Sequence, residues 1–197
     1  METPSPLHIA VAEDCDEDRY VLVRHLAGAG HQVAAVTTGE ALVELCRAST
    51  PDLVLTDIKT LDVDGIEAAA AVNRGRPVPV ILVSAYHDAE LVERAEADHI
   101  MGYLVKPIKQ ADLGPVINLA LRRFEQFQEL RQEAADLRQA LEDRKLIERA
   151  KGILMKKAGL DEATAFRRLQ KLASDKNLKL AEVARILLTA EEAFLPS

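Results

Sequence analysis

The side chains able to do chemistry in this 197-residue sequence collect just after short apolar runs. Glu13-Asp14 follow LHIAV (7–11), Asp57 follows LVLT (53–56), Ser84 follows VPVILV (78–83), and Lys106-Pro107 follow YLV (103–105). If those runs lie side by side in a sheet, three carboxylates, a hydroxyl and an ammonium share one crevice. Neighbouring carboxylates repel unless a cation neutralises them, and hard oxygen donors of this kind suit magnesium. A carboxylate beside such an ion can attack a phosphoryl group and become an acyl phosphate. Asp57 is the best nucleophile of the set. Lys106 would pair with one phosphoryl oxygen and Ser84 would hydrogen-bond another. Each residue alone has a plainer reading: an Asp after a strand commonly caps a helix, and a lone Lys is commonly a solvated surface charge. Their joint appearance at four strand ends reverses the balance.

The elements that must position these groups are legible from periodicity. Besides the four runs above, a weaker apolar run, VAAV (33–36), completes five strands. Between them, 18–29, 39–48, 65–73 and 90–97 have helical spacing, and a further helix starts at about Asp112. Strands alternating with helices, each strand apolar enough to be covered on both faces, specify an α/β fold with a doubly wound five-stranded parallel sheet, flavodoxin-like in plan. Such sheets carry their sites at the carboxyl ends of the strands, where the acidic residues fall. Gly65, in DVDG, reads as a turn glycine leading into a helix.

Composition bounds the class of protein. Apolar residues make up 48% and charged residues 29%, the balance of a chain that buries a core and is not disordered. Two cysteines, Cys15 and Cys46, have neither disulfide nor zinc spacing, which fits a reducing compartment and predicts a cytoplasmic location. The opening METPSPLHIA lacks the basic start and apolar core of an export signal, and no run nears the roughly 20 apolar residues of a membrane span, so no membrane partner is expected. The five histidines are scattered without ligand spacing. The net charge of −7 hides an asymmetry: residues 1–115 carry 9 Lys and Arg against 19 Asp and Glu, whereas residues 144–197 carry 12 against 7. An acidic first half and a basic last quarter predict different partners, because a local positive field attracts phosphate backbones.

From Val116 to Leu195 the chain has no proline and is expected to be helical. Phe127, Leu130, Ala134, Leu137 and Leu141 recur at alternating three- and four-residue steps, the seam of a coiled coil, with Ile117, Leu121 and Phe124 extending the stripe less regularly. The seam predicts a homodimer; the alternative is packing against the chain's own last helices. Beyond it, helices are expected over 141–157, 161–173 and 178–190, with Gly159 as breaker and Asp161 as helix start. On the first of these, Leu146, Ile147, Ala150, Ile153 and Leu154 form an apolar face, and Lys145, Arg149, Gly152 and Lys156 an exposed stripe flanked by Lys151 and Lys157. Such a stripe serves solubility or a nucleic-acid backbone. Arg167, Arg168 and Lys171 on the next helix, with Lys176, Lys179 and Arg185 on or near the last, add weight to the second. There is no helix-turn-helix signature for duplex DNA and almost no aromatic residue on which bases could stack.

Two resemblances sharpen these readings. VAEDCDEDR, LVLTDIKTLDVDGIEAA, VILVSAY and YLVKPI resemble the receiver domain of bacterial response regulators, over roughly residues 5–122. The resemblance implies that Glu13, Asp14, Asp57 and the backbone carbonyl of Lys59 surround magnesium, and that a sensor histidine kinase phosphorylates Asp57. It further implies that Ser84 and Tyr103 act as a switch pair and that Lys106-Pro107 is cis; the plainer reading of Tyr103 is a sheet-edge aromatic. Two departures stand out. Glu13 replaces the commoner Asp, which keeps the charge, and Thr60-Leu61 stand where Met-Pro is usual, which removes no ligand.

The second resemblance is carried by LIERAKGILMKKAGLDEATAFRRLQKLASDKNLKLAEVARILL, which is similar to the ANTAR domain, a three-helix RNA-binding output module, over about residues 135–192. It implies transcription antitermination, a dimer holding paired hairpins of a leader transcript, with RNA contacts placed on Lys145, Arg149, Lys151, Lys156 and Arg185. The expected organisation is a receiver over 1–122, a coiled-coil helix over 123–140 and the three-helix domain over 141–197. The chain is expected to be no enzyme beyond its own phosphotransfer and dephosphorylation. A protein-interaction adaptor or a DNA-binding regulator is the alternative class.

Overall fold

The computed structural model describes residues 6–60, 62, 64–85 and 100–192. Strands β1 (His8–Ala12), β2 (Gln32–Val36), β3 (Leu53–Asp57), β4 (Val80–Ser84) and β5 (Ile100–Val105) form one sheet in the order β2-β1-β3-β4-β5. Every neighbouring pair is parallel. Helices α1 (Asp16–Gly28), α2 (Gly39–Ala48) and α3 (Gly65–Gly75) connect the strands, and α4 (Gln110–Ala158) follows β5. The helix expected over 90–97 lies outside the described residues. Alternation along the strands divides the core in two. Ile9, Val11, Leu53, Leu55, Ile81 and Val83 face α1 and the start of α4, whereas Ala10, Ala12, Val54, Val80 and Leu82 face α2 and α3. Both faces are therefore closed, and β3 and β4 are buried along their whole length. The weak run at 33–36 is explained by position: β2 is an edge strand with half-exposed residues and needs less apolar surface.

The chain divides between Gln128 and Glu129 into two compact units. In the first, Ile117 and Ala120 of α4 are buried in the sheet core, and Leu121, Phe124 and Phe127 pack against it. The early part of the apolar stripe, Phe127 included, thus belongs to this core rather than to a free seam. In the second unit the last turns of α4, α5 (Glu162–Lys176) and α6 (Leu180–Glu192) enclose a small core of Ala150, Leu169, Ala173, Val183 and Ala184, flanked by Leu146, Ile147 and Leu154. Asp161 caps α5 by accepting the Thr164 amide at 2.8 Å, and Asn177 closes it in the left-handed region at φ 52°. Among the described residues no helix is long and apolar enough to cross a membrane.

Candidate functional site

Parallel pairing sets the ends of β1, β3, β4 and β5 in a row, and the acidic pocket forms there. Glu13 and Asp14 leave β1, Asp57 ends β3, and Lys106 follows β5 through a cis peptide to Pro107. Ligand atoms of Glu13, Asp14 and Asp57 all lie within 4.8 Å of one another. Lys106 reaches into the cluster: its Nζ donates to Asp57 Oδ2 at 2.6 Å and lies 2.8 Å from Glu13 Oε2 and 2.9 Å from Asp18 Oδ2. Burial alone would depress the ammonium, but Asp57, Glu13 and Asp18 together hold it above the ordinary lysine range. Burial, reinforced by the charge of Asp57, pushes the Glu13 carboxyl up despite the pairing with Lys106. Glu13 is fully buried, and its Oε2, though close to Lys106, receives no aligned hydrogen bond. A buried, under-donated carboxylate oxygen facing two further carboxylates is the donor set a small divalent cation satisfies.

Asp57 is held from both sides, since the Lys59 amide donates to its Oδ1 at 3.1 Å while Lys106 takes Oδ2. Ser84 is buried at the end of β4, where its carbonyl accepts the Lys106 amide at 2.8 Å. Tyr103 pairs with Leu82 across β4 and β5 and packs half-buried against the α2–α3 side of the core. The two residues expected to act together therefore sit on adjacent strands.

Three supports of this pocket escape a reading of residue types. Arg19 donates from Nη1 to the carbonyl oxygens of Glu13 at 3.0 Å and Asp14 at 3.3 Å, and its Nη2 pairs with Asp16. The loop bearing two candidate ligands is thereby pinned from below. Asp62, in the loop after Asp57, accepts the Gly39 amide at 2.8 Å and the Glu40 amide at 3.0 Å, capping the start of α2 from across the fold. Gly65 opens α3 as expected, and it does more than admit the turn: a Cβ there would lie 1.9 Å from the Asp57 carbonyl oxygen, so α3 starts in direct contact with the backbone of Asp57.

In the second unit, Lys145, Arg149, Lys156 and Arg185 are exposed. Lys151 differs from the expectation of an exposed flank. Its side chain is 8% exposed, and its ammonium donates to Glu148 at 2.9 Å and Glu162 at 2.7 Å with Phe166 beneath it. It fastens α4 to α5 instead of facing solvent, because the start of α5 closes over that side of α4. Glu162, and then Glu148, hold the ammonium above its usual range, and Lys151 holds the Glu162 carboxyl below its own. A carboxyl depressed in the folded state stabilises above its unfolded value, near 4.5, and that contribution is lost as pH falls through the folded value. Lys151→Met should therefore speed amide exchange in α5 at neutral pH, with the difference from the parent protein shrinking in acid. A pH-independent difference would assign the effect to packing alone.

Comparison with known proteins bears on both units. The profile of the response regulator receiver domain matches residues 9–118, and that of the ANTAR domain matches residues 135–194. The transcriptional regulatory protein PdtaR of Mycobacterium tuberculosis is 39% identical over 184 residues, 93% of this chain and 90% of that one. The nitrate regulatory protein of Klebsiella oxytoca is 42% identical over 76 residues, 39% of this chain and 19% of that protein. Among solved structures, the signal receiver domain of a modulated diguanylate cyclase from Desulfovibrio desulfuricans G20 superposes with a TM-score of 0.57 at 28% identity, over 61% of this chain and 98% of that one.

Proposed function

The chain belongs to the response-regulator family, a receiver followed by an ANTAR domain, and on that premise we propose that phosphorylation of Asp57 by a sensor histidine kinase controls RNA binding by the last three helices, and with it transcription antitermination. The single observation that carries the first half is the convergence of Lys106 with Glu13, Asp14 and Asp57 at one set of strand ends. Glu13, Asp14, Asp57 and the Lys59 carbonyl would hold magnesium, which supplies neutralising charge to the pocket and to an incoming phosphoryl group. The chain's own residues do the rest. Asp57 is oriented by the Lys59 amide and by Lys106, so one carboxylate oxygen can form the new P–O bond in line as the donor's bond breaks. Lys106 then exchanges a carboxylate for a phosphoryl oxygen as partner. Ser84 follows the phosphoryl group with its hydroxyl, and Tyr103, beside it on β5, turns into the space released.

Output follows from the second unit. The leucines at 130, 137 and 141 of α4 are 65%, 60% and 59% exposed in the single chain, which supports pairing with a second copy along that seam. Pairing joins two basic domains, and two modest sites held together bind far more tightly than either alone. Lys145, Arg149, Lys156 and Arg185 are the proposed RNA contacts. Lys151 is withdrawn from that set, because its ammonium is committed inside the unit. Crosslinking to cellular RNA, with and without Asp57→Ala, tests the switch: RNA occupancy should fall with the substitution, and binding should weaken steeply with salt. Equal occupancy removes the switch, and competition by duplex DNA as strong as by hairpin RNA favours a DNA-binding regulator.

A further inference from the structure

At the amino-terminal ends of β3 and β4, away from Asp57, the last turns of α2 and α3 line a cleft of about 460 Å³. Its floor is apolar, made by Val43, Cys46, Ala71, Val72 and Val78, and its rim carries Arg47, Arg74 and Arg76. No carboxylate lines it, although residues 1–115 hold 19 Asp and Glu against 9 Lys and Arg. Among the described residues none of the three guanidinium groups forms an ion pair.

The plain explanation of arginine at a helix end is compensation of the terminal carbonyls, and it covers Arg47 and Arg74, which lie in the last turns of α2 and α3. Arg76 lies beyond the last turn of α3, as its cap residue. Two helix ends present roughly half a negative charge each, so three full positive charges leave the rim about two charges positive. Glu40, Glu44 and Glu67 line the adjoining stretch of the α2–α3 groove, which Arg47 and Arg74 also border, so the field is most positive at the Arg76 end of the cleft. Guanidinium forks pair bidentately with phosphate, and burying the apolar part of a ligand against the apolar floor would add to that binding. The volume falls within the range of about 300–1,000 Å³ usual for small-ligand sites.

We propose that this cleft binds a small phosphate ester of nucleotide size, its phosphate on Arg74 and Arg76 and its flat apolar part on the Val43–Val78 floor. The site is separate from the acidic pocket and gives the receiver a second, ligand-borne input.

Cys46 on the floor and the exposed Cys15 beside the acidic pocket provide an internal footprint in the intact chain. Burial pushes the Cys46 thiol up to about 11, so maleimide labelling is followed in alkaline buffer, with AMP, GMP, CMP, UMP and glucose 6-phosphate as probes. At about ten times its Kd, at least one ester should slow Cys46 labelling roughly tenfold and leave Cys15 unchanged. Arg74→Gln with Arg76→Gln should abolish that protection while Cys46 labels at its parental rate without ligand, which shows the cleft intact. The proposal is overturned if no ester protects Cys46, if Cys15 is slowed equally, if inorganic phosphate protects as well as the ester, or if the double variant is protected like the parent.

Discussion

Gly65→Ala should abolish phosphoryl acceptance at Asp57 and destabilise the receiver by about 3 kcal/mol, the upper end of what overpacking costs. The obstacle is backbone, since the added Cβ would lie 1.9 Å from the Asp57 carbonyl oxygen and 2.9 Å from its carbon. No rotamer change relieves that contact. Either α3 retreats, breaking the 2.8 Å bond from the Gly65 amide to the Ile58 carbonyl, or the strand end bearing Asp57 is displaced from Lys106 and Glu13. Gly75→Ala, at the end of α3, is the control, because a Cβ there meets nothing within 4 Å and alanine favours a helix. Urea unfolding and phosphorylation stoichiometry check both variants. A Gly65→Ala protein that accepts a phosphoryl group like its parent would show that the close approach has no bearing on the site.

The second large effect is expected at the seam. Leu130→Asp with Leu137→Asp should leave the protein monomeric at concentrations where the parent is paired. Each exposed leucine that a partner covers contributes about 1.5 kcal/mol or more, and a pair of copies loses four of them. At about 1.4 kcal/mol per tenfold, dissociation should therefore strengthen by about ten-thousandfold or more. Sedimentation of the phosphorylated protein reads the change directly. The receiver core, which uses Phe124 and Phe127 but neither leucine, should unfold as before. A parent protein that stays monomeric when phosphorylated, or a variant that still pairs, would place the dimer elsewhere or remove it.

These two cases also mark what residue order alone conveys. The sheet was legible because β3 and β4 are covered on both faces, and continuous apolar runs have few other uses. The pocket was legible because strand ends must line up in a parallel sheet, so Glu13, Asp14, Asp57, Ser84 and Lys106 could be brought together by counting from each run. What stayed hidden depends on how pieces distant in the sequence touch. Gly65 looks the same whether it bends the chain or admits a neighbouring backbone. Arg19 in an acidic loop reads as a surface charge, and only the fold turns the Glu13 and Asp14 carbonyls toward it. Lys151 repeats at the spacing of an exposed flank, but α5 closes over that flank. Helical periodicity places a side chain on a face; it does not say which other helix arrives there.

The proposed switch requires the clustered oxygens of Glu13, Asp14 and Asp57 to hold a divalent ion while Asp57 accepts a phosphoryl group. Incubating the intact protein with acetyl phosphate and magnesium, and reading intact mass and the modified peptide, tests this most directly. The expected result is one phosphoryl group per chain, on Asp57, lost when magnesium is chelated and absent in Asp57→Asn. A protein that gains no phosphoryl group with ample magnesium, or gains it equally with Asp57 replaced, would contradict the account.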